Sequence, residues 1–130
     1  MENSKVVWIG RVLSVVVTLP FAFSAAAKLF PKTLYPQMTE QMAQIGLPES
    51  ILMPVATLEI LCIVIYLIPA TSVLGAVLFT GYLGGTILTH MRVGQNVALQ
   101  VTLGLIVWLG VYLREPRLHA ILPLRRKNER

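Results

Sequence analysis

Long uncharged runs separated by short polar segments dominate the hydrophobic pattern of the chain. Three stretches contain no charged residue: 12–27, 60–89 and 93–113. Runs of this length are typical of membrane-spanning helices, which need about 20 mainly apolar residues. The middle run is too long for one helix and is interrupted at residues 69–72, where a proline can end one helix and Thr71 or Ser72 can cap the next. The pattern predicts four spans, at about residues 7–28, 50–68, 73–90 and 96–113.

The polar segment between the first two predicted spans contains a shorter helical pattern. Met38, Met42 and Ile45 recur at helical spacing, and they are followed by Gly46 and Pro48. Glycine favours the left-handed backbone that ends a helix, and proline prevents its continuation. We expect a short amphipathic helix here, on the outer membrane surface, with an irregular loop as the alternative.

Composition and charge favour a membrane protein over a soluble one. Hydrophobic residues make up 55% of the 130 residues, the mean hydropathy is +0.71, and only 13% of residues are charged. Eight of the 11 Lys and Arg residues fall on one side of the predicted spans and three on the other. By the positive-inside rule, we expect both termini of this multi-pass chain to lie in the cytoplasm. The expected location is the inner (plasma) membrane. We attribute the net charge of +5 to topology and lipid contact, and expect no nucleic-acid partner.

The two ends of the chain carry further signals. Lys5 and Arg11 before an apolar run, and the alanines 25–27 after it, resemble a secretory signal with its cleavage site; this is the alternative to a retained first span. Residues 114–130 form a basic tail expected on the anionic inner leaflet, with His119 on its surface. We expect residues 1–130 to form a single four-span membrane domain that ends in this tail. Four aromatic residues are expected near the inner interface: Trp8, Tyr66, Trp108 and Tyr112.

Polar side chains concentrate in the outer half of the predicted bundle. Glu59 lies about 12–14 Å below the outer surface, and the antiparallel third span brings Tyr82 to the same level. Tyr82, Thr86 and His90 share one face of that span. Because a carboxylate in hydrocarbon costs several kcal/mol unless it is paired or protonated, Glu59 is expected to face the bundle interior. Its candidate partners are Lys28, Tyr82, His90 and Arg92.

The remaining candidates complete a predicted polar pocket. All four spans contribute polar groups to the outer half, whereas the inner half is expected to hold almost none beyond its boundary. Glu59 and His90 are the candidate catalytic residues. The candidate pocket residues are Ser24, Lys28, Tyr82, Thr86, Arg92, Asn96 and Gln100. Small residues on the third span are expected to let a neighbouring helix approach closely; these are Gly81, Gly84 and Gly85.

Cysteine and histidine usage excludes several kinds of redox centre. Cys62 is the only cysteine, so a disulfide within the chain, a CxxC pair and a multi-cysteine metal site are excluded. The two histidines are predicted to lie on opposite sides of the membrane, which argues against a haem held by both. We expect no metal site, and any oxidoreductase activity would need a partner protein.

Several stretches of the chain resemble the DoxX-like family of small four-span membrane proteins. The resemblance is carried by "SAAAKLF" at the end of the first span, "GLPE" before the second, and Glu59 within "TLEIL". It continues through "PATSVLGAVLFTGYLGGTILTHMRVG" and "VWLGVYLREPRL". The resemblance implies a compact all-α four-helix membrane bundle. Relatives include small membrane subunits of a thiosulfate:quinone oxidoreductase and proteins linked to oxidative-stress assemblies; the family provides no accepted catalytic set to transfer.

Three functional hypotheses follow. The first is an accessory subunit of a membrane redox assembly, whose pocket binds a quinone, with Glu59 and His90 as proton partners and Lys28 or Arg92 polarising an oxygen. No covalently bound cofactor is expected. The second is a small proton-coupled transporter or efflux protein, in which the intramembrane glutamate exchanges protons for a cation in a homo-oligomer. The third is a non-catalytic assembly factor. The expected partners are the lipid bilayer, a redox partner protein and further copies of the chain.

Overall fold

Prolines and turn residues divide the apolar runs into separate helices. The computed structural model describes residues 4–30 and 36–124, and over these residues it is helical, with no strand. The long helices are α1 (Ser4–Leu29), α3 (Leu52–Leu67), α4 (Ser72–Met91) and α5 (Ala98–Arg114), and a short α2 (Met38–Gln44) lies between α1 and α3. Single 3₁₀ turns occupy Glu49–Ile51, Pro69–Thr71 and Pro116–Ala120. The predicted all-α architecture with a short helix in the first connection is confirmed.

The four long helices pack in a ring. Helix α1 contacts α3 and α5, and α4 contacts the same two helices from the other side. Short connections make α3, α4 and α5 successive antiparallel neighbours. We call the end with α2 and residues 92–97 the upper end, and the end with residues 68–71 and 115–124 the lower end. They correspond to the predicted outer and inner sides.

The turn between α3 and α4 differs in detail from its prediction. Helix α3 ends before Pro69, as expected for a residue that cannot continue a helix. The Thr71 hydroxyl donates to the carbonyl oxygen of Ile65 at 2.8 Å, and the Ser72 hydroxyl to that of Pro69 at 3.2 Å. Thr71 is the N-cap residue of α4, as predicted, but neither hydroxyl makes a capping hydrogen bond to that helix, because both satisfy carbonyls at the end of α3 and in the turn.

Glycines bring the helices into close contact in the lower half. A Cβ atom added to Gly10 of α1 would lie 2.6 Å from the backbone nitrogen of Arg114 in α5. One added to Gly110 of α5 would lie 2.8 Å from the hydroxyl of Tyr66, and one added to Gly75 of α4 would overlap the Tyr66 backbone. Only glycine fits at such crossings, so the lower half is packed backbone against backbone.

The glycines predicted to serve this purpose do not. Around an added Cβ atom at Gly81, Gly84 or Gly85, no atom of the described residues lies within 4 Å. The prediction of a close helix approach at these three positions is therefore wrong for contacts among the described residues. Periodicity places small residues on one face, but it does not say which neighbour that face meets.

Buried polar groups also occupy the lower half, contrary to the prediction. Tyr66 is fully buried, and its hydroxyl donates to the Val107 carbonyl at 2.5 Å and lies 3.2 Å from the buried Ser14 hydroxyl. The Arg114 guanidinium donates to the Tyr66 carbonyl and lies 4.7 Å from the ring centroid. Tyr66 shares the inward face of α3 with Glu59, seven residues earlier, and this explains why its ring is inside rather than at the interface.

The described part of the tail folds back under the bundle. Leu118 is buried in the core, and the Tyr112 hydroxyl donates to the Leu122 carbonyl at 3.2 Å. His119 stacks on Tyr112 with ring centroids 4.2 Å apart, and its Nε2 lies 2.8 Å from the Tyr112 carbonyl oxygen. The prediction of His119 as a simple surface residue is therefore wrong. Residues 125–130, which carry four of the predicted cytoplasmic bases, lie outside the described residues.

Apolar side chains cover much of the outer surface of the long helices. Two helical segments, Ser4–Leu29 and Pro69–Met91, are long and apolar enough to cross a membrane, and Leu52–Leu67 and Ala98–Arg114 are apolar but shorter. Only 28% of the most apolar window of each longer segment is buried. A core helix of a water-soluble protein would bury most of such a window, so this surface fits an apolar surrounding better than water.

Candidate functional site

A buried ion pair lies in the upper half of the ring. The Lys28 ammonium, in the last turn of α1, is 2.8 Å from Oε1 of Glu59 on α3. Glu59 is 1% exposed and Lys28 9% exposed. Ser24, one helical turn before Lys28, donates to the same carboxylate oxygen at 3.3 Å and accepts a hydrogen bond from Lys28. Spacing of i and i+4 on α1 thus places both side chains on Glu59.

Helix α4 brings a third side chain to the carboxylate. Tyr82 is half-buried, and its hydroxyl interacts with Glu59. Its ring meets the edge of Phe21 on α1, with centroids 6.4 Å apart and planes inclined at 71°. The levels worked out from helix rise, which put Tyr82 opposite Glu59, agree with this contact. Groups from three helices therefore converge on one acid.

A cavity of about 850 Å³ lies over the ion pair. All five helices contribute to its wall. Its apolar lining includes Phe21, Met42, Val55, Leu58, Leu99 and Leu103. Of the predicted residues, it is lined by Ser24, Lys28, Glu59, Tyr82, Thr86, His90 and Gln100, together with Gly81 and Gly85. The size and the mixture of apolar walls with a few polar groups are those of a small-molecule site.

His90 and Thr86 line this cavity but are held by their own helix rather than by Glu59. The Thr86 hydroxyl donates to the Leu83 carbonyl at 2.9 Å, and His90 Nδ1 lies 2.7 Å from the Thr86 carbonyl oxygen. A carbonyl oxygen can only accept, so Nδ1 carries the proton of that bond. In the neutral ring, His90 Nε2 is then an acceptor for a donor in the cavity.

Arg92 and Asn96 stand apart from the site, and their prediction as pocket residues is wrong. Neither is among the described residues that line the cavity. Helix α4 ends at Met91, so Arg92 extends beyond it and donates to the Ile45 carbonyl at 3.0 Å. The Asn96 side-chain oxygen accepts from the Ala98 amide at 2.7 Å, at the start of α5. Both residues organise connections at the upper end instead of binding Glu59.

Gln100 supplies an unpartnered polar atom. Its Oε1 is buried without a hydrogen-bond partner, and among the described side chains the only other such atom is Nε of Arg114. Gln100 lines the cavity, whereas Arg114 belongs to the lower half. A buried amide oxygen without a partner costs about 1–3 kcal/mol, and a ligand donor would remove this cost.

Helix α2 forms the roof of the cavity, a role that sequence reasoning missed. Met38, Met42 and Ile45 are buried and pack with Ala27 of α1 and Leu52 of α3. The helical spacing predicted this apolar face correctly, and Gly46 has the left-handed φ of 83° expected after the helix. The helix was expected to lie on the membrane surface, but its apolar face packs on the protein itself. Periodicity alone does not distinguish these two partners.

The described residues offer no ready metal site. They contain no group of three or more His, Cys, Asp or Glu side chains that could hold a metal ion, and Cys62 is a buried free thiol. The chemistry available is therefore that of hydrogen-bond donors, a carboxylate and an imidazole around an apolar cavity.

These features define a class of protein: a small helical bundle with an apolar outer surface and a buried polar site near one end. The chain belongs to the DoxX-like family, whose model matches residues 12–111. Together with the apolar helices, this membership identifies a DoxX-type membrane protein. Comparison with curated proteins and with solved structures found no match.

Proposed function

We propose that all four long helices cross the inner membrane, with the lower end and both termini in the cytoplasm. The 16 residues of α3 span about 24 Å at 1.5 Å per residue. The preceding turn Glu49–Ile51 adds about 6 Å, which brings the segment to the thickness of the hydrocarbon core. Retention of the first span is supported by α1, because it carries Lys28 and packs against two other helices.

Orientation is tested by cysteine labelling in a Cys62→Ala background. Gln95→Cys at the upper end should react in intact cells with a maleimide that does not cross membranes. Leu124→Cys, at the lower end, should react only after the cells are opened. The reverse pattern would refute the proposed orientation, and labelling of both sites in intact cells would refute the four-span topology.

We propose further that the cavity binds the head group of a quinone, and that the protein is an accessory subunit of a membrane redox assembly. The observation that carries this proposal is the Lys28–Glu59 pair beneath the cavity. Removing two charges from water costs several kcal/mol per ion, and apolar residues of similar volume would often be as stable. Ionisable groups within membrane spans are therefore functional by default.

The polar groups around the cavity suit both oxidation states of such a ligand. A quinone presents carbonyl oxygens that accept hydrogen bonds, and the Lys28 ammonium has a third N–H beyond those directed to Ser24 and Glu59, so it is a donor at the cavity floor. A quinol presents hydroxyl donors, which match the acceptors Gln100 Oε1 and His90 Nε2. Oxidation of a quinol releases two protons and two electrons. His90 and Glu59 are the available bases, and a partner protein would take the electrons.

Packing in the lower half favours binding over transport. An exporter needs a route from Glu59 to both sides of the membrane. Below Glu59, the ring is filled by Tyr66 and by the crossing of Gly10 with α5. The transporter hypothesis therefore requires a large rearrangement, whereas a binding subunit requires none.

The quinone proposal is tested with protein extracted in mild detergent. The wild type should retain quinone and bind a quinone analogue without a side chain. Lys28→Met should weaken binding of the analogue by about tenfold or more, because a hydrogen bond from a charged group contributes about 1.5–3 kcal/mol. Glu40→Gln, which alters an exposed carboxylate on α2, is the control and should bind like the wild type. A wild-type protein that binds neither quinone nor analogue would refute the proposal and leave the assembly-factor hypothesis.

A further inference from the structure

Helix α4 packs tightly on α3 near their turn, whereas two of its upper glycines are left uncovered. At Gly75 of α4, an added Cβ atom would overlap the backbone of Tyr66 on α3. Higher on α4, added Cβ atoms at Gly81 and Gly85 would meet no described atom within 4 Å. No described part of α3 therefore packs on these two positions.

The opening between the two helices leads into the cavity. Val55 and Leu58 on α3, and Gly81 and Gly85 on α4, all line the cavity. Leu58 is also 54% exposed on the outside of the bundle, and both glycines are exposed. Residues that belong at once to the cavity wall and to the outer surface mark places where the two are continuous, and these four mark one such place. We call this opening, bounded by Val55, Leu58, Gly81 and Gly85, the window.

The window differs from the upper end in its chemistry. Its boundary consists of two aliphatic side chains and two glycines, so it presents no polar side chain. The cavity also reaches the surface at the upper end beside α2, but the exposed lining residues there are the polar Gln41, Gln44 and Gln95. An aliphatic passage on a surface of exposed leucines and valines suits a hydrocarbon chain. It offers no side-chain hydrogen bonds to replace the water lost by a polar ligand.

We propose that the window holds the apolar chain of the ligand, and that the ligand is therefore a bilayer-resident amphiphile that enters sideways, with its oxygenated head on Lys28. This inference rests on the proposed function and specifies it: a quinone with a long side chain, rather than a soluble small molecule, is the substrate class. The glycines leave the room that the chain occupies.

The test compares two ligands on variants that narrow the window. Gly85→Leu and Gly81→Leu place a side chain in the opening. Gly84→Leu is the matched control, because Gly84 is on the same helix, is exposed and has free space around it, but is not among the described residues lining the cavity. The ligands are a quinone analogue without a side chain and the same ring with a chain of about ten carbons, each buried methylene of which strengthens binding by about fourfold.

Gly85→Leu should weaken binding of the chain-bearing quinone by about tenfold more than it weakens binding of the chainless analogue. Gly84→Leu should change neither. Leu58→Trp narrows the window from α3 and should repeat the result if a glycine variant fails to fold. Equal effects of the window variants on both ligands, or none on either, would overturn the inference.

Failure of the window and failure of the proposed function give different results. If the chainless analogue binds the wild type and is lost in Lys28→Met, the head-group site stands whatever the window variants show. If neither ligand binds the wild type, the proposed function fails and the window inference fails with it.

Discussion

Replacing Lys28 by methionine leaves the Glu59 carboxylate buried without its counter-charge. At 2.8 Å and an effective dielectric constant of about 20, the two charges attract each other by about 6 kcal/mol. Desolvation of the two ions offsets most of this, so the intact pair is close to neutral in net stability. Breaking it leaves the desolvation cost of the remaining charge. We expect Lys28→Met and Glu59→Gln each to lower the free energy of unfolding by about 3–5 kcal/mol.

The double variant separates this explanation from simple loss of packing. With both charges removed, no uncompensated ion remains, and the amide oxygen introduced by Glu59→Gln can still accept from Ser24. We expect the double variant to be more stable than either single variant, and its loss to be at least about 2 kcal/mol smaller than the sum of the single losses. Reversible unfolding in mixed detergent micelles measures all four proteins, with Glu40→Gln expected within about 0.5 kcal/mol of wild type. Additive effects, or single losses as small as that of the control, would refute the buried-pair reasoning.

Three further predictions concern the framework around the site. Gly75→Ala should lower the free energy of unfolding by about 3 kcal/mol, because its methyl group overlaps the Tyr66 backbone. Gly84→Ala, in open space, should be neutral or stabilise the protein by up to about 1 kcal/mol. Equal effects of the two variants in an unfolding titration would contradict the packing described. Tyr66→Phe should lower the free energy of unfolding by about 0.5–1.5 kcal/mol, because it removes the hydrogen bond to Val107, and it should leave quinone binding unchanged. A loss of binding would show that the lower half of the bundle influences the cavity in the upper half. Arg92→Gln should speed amide hydrogen exchange in α2 with little change in global stability, and unchanged exchange would show that this arginine does not fasten the roof.

The helices could be predicted from sequence because their signals are local. Uncharged runs, Pro69 and the left-handed Gly46 fix where helices begin and end, and the observed boundaries of α3, α4 and α5 lie within about two residues of those predicted. The first helix begins earlier than predicted, at Ser4, because polar residues at an exposed helix end do not prevent helical backbone. The uncharged runs do not show which segments each helix will pack against. Tyr66 was placed by its position near a helix end and His119 by its position in the basic tail, and contacts with other segments determine the position of both.

The sequence predicted those contacts of the candidate site that depend on how far each residue lies from the upper end of its helix. Glu59, Tyr82 and Lys28 lie at similar distances from the upper ends of their helices, so antiparallel packing brings them together. Arg92 and Asn96 were assigned to the pocket on the same argument. Arg92 still has helical backbone at the end of α4, but its long side chain reaches sideways to the Ile45 carbonyl. Asn96 lies in the connection beyond the helix, where its side chain bonds to the Ala98 amide.

The glycines show how one residue type serves opposite purposes in the two halves of the bundle. Gly10, Gly75 and Gly110 lie where backbones touch, and there the missing side chain permits a dense lower half. Gly81 and Gly85 lie at the exposed edge of the cavity, and there it leaves space. The dense half supplies the close contacts that hold the helices together. A buried charge pair can then be kept beside an open cavity, because the cohesion of the bundle is supplied elsewhere.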